Sequence, residues 1–485
     1  LQGRAGTAAG RGRDLTTGPI GKTLILFSLP LLGSNVLQSI NGSANAIWVS
    51  HILGEASLAA ISNANQVFFL MLGSMFGLAM AANILIGQAM GAGDPALAKK
   101  VVGTCTAFFL AVSTAVGVLG FTLTPAILDA MGTPADARGD AIAYLQVIFG
   151  AIPFIYFFTF MMMAQRGAGD SRTPFLFSGI VVALDIALNP LLILGVGPLP
   201  TLGIAGSAAA TLIAQTVTLA VLLTYLYRRG SLLVIRPSEW RLLIPDLTII
   251  RTLVFKGLPM AFQMIVISLA AVTMMSLVNG YGSDTAAAYG AAVQIWTYVQ
   301  MPAMALGAAV SSIAAQNVGA GKMDRVAEVA RKGVLVAFVG TTLLVVLLEL
   351  AKPFVIGAFL PADSAARPIA GHINTIVLWG FIPFGMAFIF NGVVRATGAV
   401  WPPLLAMIIA LWVVRVPFAT LLTPHIGADA VWWSFPVGSL VMLALAAGYY
   451  RLGGWRKARM LPEAVQGEAA DTGLAAPLEE GETAR

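Results

Sequence analysis

Apolar runs of about 20 residues or more recur along almost the whole chain, and each is long enough to cross the ~30 Å hydrocarbon core of a bilayer as a helix. Read between charged or Gly/Pro breaks, they predict twelve spans, at 22–50, 57–89, 100–124, 139–165, 173–196, 203–227, 250–279, 285–316, 330–351, 369–394, 402–424 and 430–450. One large soluble core is excluded as the alternative. Only 10% of residues are charged and the mean hydropathy is +0.86, against roughly 25% charged for a soluble domain. Lipid offers no partner to a backbone amide, so spans must satisfy their own hydrogen bonds. The expected fold class is an all-α polytopic membrane protein.

The basic residues fall on one side of these spans. The loops on the other side hold only Arg138, Lys352 and Arg367, while Arg415 lies inside a span. The rest of the 28 Lys and Arg sit in the two tails, in the alternate loops or in the first two turns of the spans beside them, which by the positive-inside rule places both termini in the cytoplasm of a bacterial inner membrane. Charge scattered over short loops forms no stripe for nucleic acid, so the net +6 does not imply one. Residues 1–19 lack an apolar run directly behind their arginines and are expected to be a disordered cytoplasmic tail, not a secretory leader. The Glu- and Gly-rich end, within a second tail at 451–485, is expected to be disordered too.

The chain repeats itself. Pro30 pairs with Pro259, Gly54 with Gly282, Gln66 with Gln294 and Pro125 with Pro353. Gln88-Ala-Met-Gly-Ala-Gly93 pairs with Gln316-Asn-Val-Gly-Ala-Gly321, and Arg166-Gly-Ala-Gly169 with Arg395-Ala-Thr-Gly398, all at nearly one offset. Six spans per copy is an even number, so both copies start on the same side and are related by an axis along the membrane normal. The expected organisation is a six-helix lobe at 20–228, a cytoplasmic linker at 229–249 and a second six-helix lobe at 250–450. Two such lobes facing each other enclose a cleft, which alternating access requires.

No enzyme chemistry is legible. Gly319-Ala-Gly321-Lys322 invites a phosphate-loop reading, but Gln316 replaces the first glycine of that motif and Met323 the Ser or Thr that ends it. A glycine turn ending a helix explains both copies better. Cys105 is the single cysteine, and His51, His372 and His425 lie far apart, so no resident metal or cofactor is expected.

Asp185 is the informative residue. It lies about 11 residues into the fifth span, roughly 16 Å along a helix and near the bilayer midplane. A carboxylate there costs about 2.5–3.5 kcal/mol on insertion scales, so it should face a partner or water. Asn189 is one turn on, and the first span carries Ser34, Gln38, Asn41 and Asn45 on one face. Together these groups would surround one titratable acid, as a proton-coupled carrier needs; the same oxygens would alternatively hold Na⁺. A structural hydrogen-bond hub between helices is the plainer reading.

Pro30 and Pro259 interrupt the first span of each half and offer hinges, or static kinks. Met161, Phe154, Met264 and Trp296, among other Met and aromatic residues, would suit a forgiving apolar cleft, and Arg415 marks either that cleft or a buried carbonyl contact. Facing lipid or a neighbouring helix is the simpler role for any one of them.

With these landmarks in place, the chain resembles the multidrug and toxic compound extrusion (MATE) family over about residues 20–450. The resemblance rests on Leu29-Pro30, Ile47-Trp-Val-Ser-His-Ile-Leu-Gly54, the repeated Gln-x-x-Gly-Ala-Gly, Arg166-Gly-Ala-Gly-Asp-Ser-Arg-Thr-Pro174, Gly203-Ile-Ala-Gly-Ser-Ala-Ala-Ala-Thr211 and Arg415-Val-Pro417. It implies two six-helix lobes in a V and export of organic, often cationic, compounds against H⁺ or Na⁺ influx. Carried over, the ion-coupling cluster falls on Gln38, Asn45, Asp185, Asn189 and Thr211. Asn45 stands where the family usually has aspartate, and Asp185-x-x-x-Asn189-Pro190 where Asn-x-x-x-Asp-Pro is usual, so one carboxylate remains. Small organic substrates and membrane lipids are the expected partners, and a monomer is the expected unit. The rival reading is a lipid-linked oligosaccharide flippase of the same superfamily, which would favour a more basic cleft and more spans.

Overall fold

The computed structural model describes residues 13–53, 55–133, 135–196 and 201–460. All regular structure among them is helical, and twelve helices are long and apolar enough to cross a membrane. The N-terminal lobe holds α1 (Ile20–Leu53), α2 (Glu55–Gly91), α3 (Pro95–Ala130), α4 (Ala135–Gly167), α5 (Arg172–Leu194) and α6 (Ile204–Arg228). The C-terminal lobe holds α7 (Leu247–Asn279), α8 (Ser283–Gly319), α9 (Met323–Leu350), α10 (Ala366–Ala396), α11 (Trp401–Ile426) and α12 (Asp429–Leu452). Every expected span lies on one of these helices. Most helices run a few residues past the apolar run, because polar ends continue the backbone ladder outside the lipid.

The lobes meet along α1, α2, α7 and α8, on the side that carries the basic loops. The duplicated glycines make that contact. A Cβ on Gly91 would overlap the carbonyl of Gln316, and one on Gly319 would overlap that of Gln88. The same motif therefore meets its own copy across the two-fold axis. Gly93 and Gly321, at φ of 72° and 70°, make the left-handed turns that end α2 and α8, as the sequence suggests. Further along, the Asn83 amide donates to Ser312 at 3.3 Å, and Gly77 lets α2 approach Ala261 of α7. The result is a V closed at the basic-loop end.

Two segments differ from expectation. Residues 13–19, read from sequence as part of a disordered tail, are seated on the closed end. The Leu15 amide donates to Gln316 Oε1 at 2.9 Å, Asn317 donates to the Leu15 carbonyl at 3.2 Å, and the Lys322 ammonium donates to Thr16 Oγ1 at 2.9 Å. Leu15 is 1% exposed, so one apolar side chain and a set of backbone bonds offset the ordering entropy that composition alone suggested would win. The remainder of both tails, 1–12 and 461–485, lies outside the described residues, whereas Trp455 just past α12 is fully buried. The linker also has structure: a 3-10 turn at Pro237–Leu243 lies on α3, with Lys99 paired to Glu239 and Lys100 to Asp246 at 2.7 Å.

Pro30 and Pro259 lie inside continuous helices. The Ser34 hydroxyl donates to the Pro30 carbonyl at 3.1 Å, and Pro259 is buried beside the α2–α7 crossing. Within α11, residues Ile409–Arg415 widen into a π-helix. Pro417 lacks the amide that would bond the carbonyl of Val413, and a wider turn relieves the ring's clash there.

Candidate functional sites in the two lobes

The polar site of the N-terminal lobe is built by α1, α5 and α6. Asp185 and Asn189, one turn apart on α5, are fully buried. The Asn41 amide donates to Asp185 Oδ2 at 2.7 Å, and the Asn45 amide donates to the same oxygen at 3.1 Å. Thr211 Oγ1 donates to Asp185 Oδ1 at 3.1 Å, and Asn189 donates to Asn45 Oδ1 at 2.8 Å. Three donors on one carboxylate match its ionised form, which only accepts. Two buried oxygens, Asn41 Oδ1 and Asn189 Oδ1, have no donor among the described residues. Such orphaned acceptors are costly unless something fills them.

This shell has two chemical uses. A proton on Asp185 can be donated to an amide oxygen once Asn41 turns its amide over. Alternatively, the carboxylate and the orphaned oxygens can hold a cation. One negative charge among neutral oxygens suits a monovalent ion. No three His, Cys, Asp or Glu side chains gather anywhere among the described residues to suit a divalent metal.

Asn41, Asn45, Asn189 and Thr211 thus converge on Asp185. Gln38 does not. It is exposed on α1 without a hydrogen bond among the described residues, three residues or about 4.5 Å of helix rise before Asn41. Tyr144 on α4 was not signalled by the sequence; it is buried in the N-terminal core. An isolated tyrosine in an apolar span carries no pattern that would single it out.

A second site lies in the C-terminal lobe. A cavity of about 400 Å³ is enclosed by α7, α8, α10, α11 and α12, with Phe76 and Met80 of α2 as its wall towards the other lobe. Met264, Trp296 and Arg415, three of the residues that the sequence offers for an apolar cleft, line it. Met161 and Phe154 do not: Met161 is 1% exposed within the N-terminal core, and Phe154, 36% exposed on α4, is not among the lining residues. Both belong to α4 of the N-terminal lobe and were picked for side-chain type alone. Two breaks in α-geometry shape the cavity, the π-segment before Arg415 and a 3-10 turn at Leu378–Gly380. A Cβ on Gly380 would crowd the backbone of Pro436, so glycine lets α10 lie against α12.

The polar lining residues are Arg395, Arg415, Gln263, Gln300, Tyr289 and Ser439. Arg395, equivalent to Arg166 in the repeat, donates to Gln263 Oε1 at 3.3 Å. Sequence reading treated it only as a landmark at the end of a span.

The profile of the MatE family matches residues 30–191 and then matches again over 259–421. The chain belongs to the MatE family. The double match falls on the two lobes, at the offset of the internal repeat. Over 438 residues the chain is 37% identical to the "Probable multidrug resistance protein YoeA" of Bacillus subtilis, covering 90% of this chain and 94% of that one. It is 29% identical over 453 residues to "Probable multidrug resistance protein YpnP" of the same organism, covering 93% and 99%. A solved structure described as MATE in complex with MaL6 shares the MatE fold, with a TM-score of 0.84 at 22% identity over 91% of this chain and 98% of that one.

Proposed function

We propose that this MatE-family protein is an antiporter that exports small organic compounds from the cytoplasm, driven by inward movement of H⁺ or Na⁺. The names of its B. subtilis relatives support multidrug export, and the shell around Asp185 supports cation coupling. That shell is the observation that carries the reading: a buried carboxylate whose partners come from α1, α5 and α6, so that filling or emptying it changes how those helices hold together. Cation binding would bias α1 against α5, and the cleft would then reopen on the other face. Bending at Pro30, with Pro259 as its counterpart in the second lobe, is the hinge that this reading assigns. The basic loops support a closed end of the V on the cytoplasmic side, so the structure is read as facing outwards.

The test is uptake into inverted membrane vesicles of two dyes on one xanthene scaffold, fluorescein and rhodamine 6G, read after filtration. H⁺ and Na⁺ gradients are imposed separately. At least one gradient is expected to drive uptake of at least one dye, and Asp185→Asn is expected to abolish it. Uptake that Asp185→Asn leaves unchanged would remove Asp185 from coupling.

A further inference from the structure

The C-terminal cavity holds two guanidinium groups and no carboxylate. Among its lining residues there is no Asp, Glu or His. Arg415 makes no hydrogen bond or ion pair among the described residues; its guanidinium lies 3.3 Å from the centroid of the Phe435 ring. Arg395 has one bond, to Gln263. The Nε atoms of both arginines, and Gln263 Nε2, are buried donors without an acceptor among the described residues. A buried cation lacking a counter-charge is strongly unfavourable, and here two share one space. Removing the donors' partners from a native site leaves this signature.

We propose that the cavity is a binding site for an organic acid: a flat apolar body bearing a carboxylate or phosphate. The guanidinium fork matches either oxyanion in a bidentate manner, which an ammonium does not. Trp296, Phe381, Phe384 and Phe388 supply ring faces and edges for the apolar body, and the methionines adapt around it. A volume of about 400 Å³ fits a drug-sized acid, not a diacyl lipid. The assignment rests on the transporter reading and sharpens its substrate class, away from the cations that family resemblance implies. It does not depend on Asp185, which belongs to the other lobe.

Equilibrium binding to the purified full chain in detergent, with no gradient, tests it. Fluorescein and rhodamine 6G are titrated by fluorescence polarisation at one pH. Fluorescein is expected to bind at least about tenfold tighter. Arg415→Gln and Arg395→Gln are each expected to weaken fluorescein by about ten- to hundredfold, the range for one charge-assisted hydrogen bond, while leaving rhodamine 6G unchanged or tighter. Arg415→Lys is expected to recover only part of the loss. Rhodamine 6G preferred by the wild type, no binding of fluorescein, or an unchanged preference in a folded Arg415→Gln and Arg395→Gln double variant each overturns the proposal. Excess phosphatidylglycerol micelles separate the sources of the anion. Persistence of bound fluorescein supports a free acid, and its displacement overturns that assignment in favour of a lipid headgroup. Uptake of rhodamine 6G in vesicles without fluorescein binding leaves the transporter standing and rejects the acid site alone.

Discussion

Asp185 illustrates how much one side chain can decide. Its shell has three donors from three residues, so each is expected to matter separately. Thr211→Val removes the single donor to Oδ1 without adding bulk. It is expected to preserve folding and to shift the Na⁺ concentration or pH of half-maximal uptake by about tenfold or more, the worth of one charge-assisted bond. A profile superimposable on wild type would show that Oδ1 is not used. Outside the membrane, Asp246 caps α7 by accepting from the Thr248 and Ile249 amides at 2.8 and 3.2 Å. Partial burial by itself would raise its carboxyl, but Lys100 and those two amides outweigh this and hold it below 3.8. Its stabilising contribution is therefore complete above about that pH and is lost as pH falls through the lower folded value. Thermal unfolding in detergent should show this acid limb, flattened in Asp246→Asn. Asp246→Ala should also lose about 1 kcal/mol at neutral pH through the missing cap. At this scale the sequence exposes Asp185, Asn41, Asn45 and Asn189, since each is a polar atom in an apolar run. It does not separate Gln38 from them, because α1 meets α5 over several turns through Gly33, Leu37, Asn41 and Asn45, and Gln38 lies one residue round the helix from that line. Arg395 stays hidden for the opposite reason: a cation near a span end looks like an ordinary anchor until α7 is packed beside it.

Among the elements, the α2–α8 crossing is the most constrained. Gly91 and Gly319 sit on each other's backbone, and any side chain there forces the helices apart. Overpacking of this kind costs about 1–3 kcal/mol. Gly319→Val is accordingly expected to favour opening of the basic-loop end. Ser312→Cys, at a position 1% exposed, reports it, and the single native thiol, Cys105, is buried and adds no background. Maleimide labelling of that cysteine is expected to rise by roughly five- to a hundredfold when Gly319→Val is added. An unaltered labelling rate would mean that the crossing does not gate this face. The 13–19 segment belongs to the same closure, because it touches Gln316 and Asn317 of α8 while Gly169 approaches the Arg13 carbonyl from the other lobe.

For the molecule as a whole, the duplication decides the architecture. One family profile fits twice, and the two copies meet through equivalent glutamine-glycine motifs. Yet the lobes have diverged in chemistry. The N-terminal one keeps a buried acid, and the C-terminal one keeps two arginines beside an apolar cavity. The basic loops favour cytoplasmic termini. A protease-sensitive tag placed after residue 485 is expected to be cut in inverted vesicles and protected in intact spheroplasts. The reverse pattern would turn the proposed transport direction round.

The sequence alone determines the spans, their number, the repeat and which loops carry the basic residues. These are properties of contiguous stretches, since apolar length and local charge act on each helix separately. It also determines that an acid must be sheltered near mid-membrane. Only the tertiary structure decides what shelters it, because Asn41 and Asp185 are 144 residues apart and meet through the angle at which α1 packs on α5. The same holds for the cavity. Arg395, Arg415 and Phe435 come from three helices, and a broken turn in α11 sets the direction in which Arg415 points, which no pattern within one helix encodes.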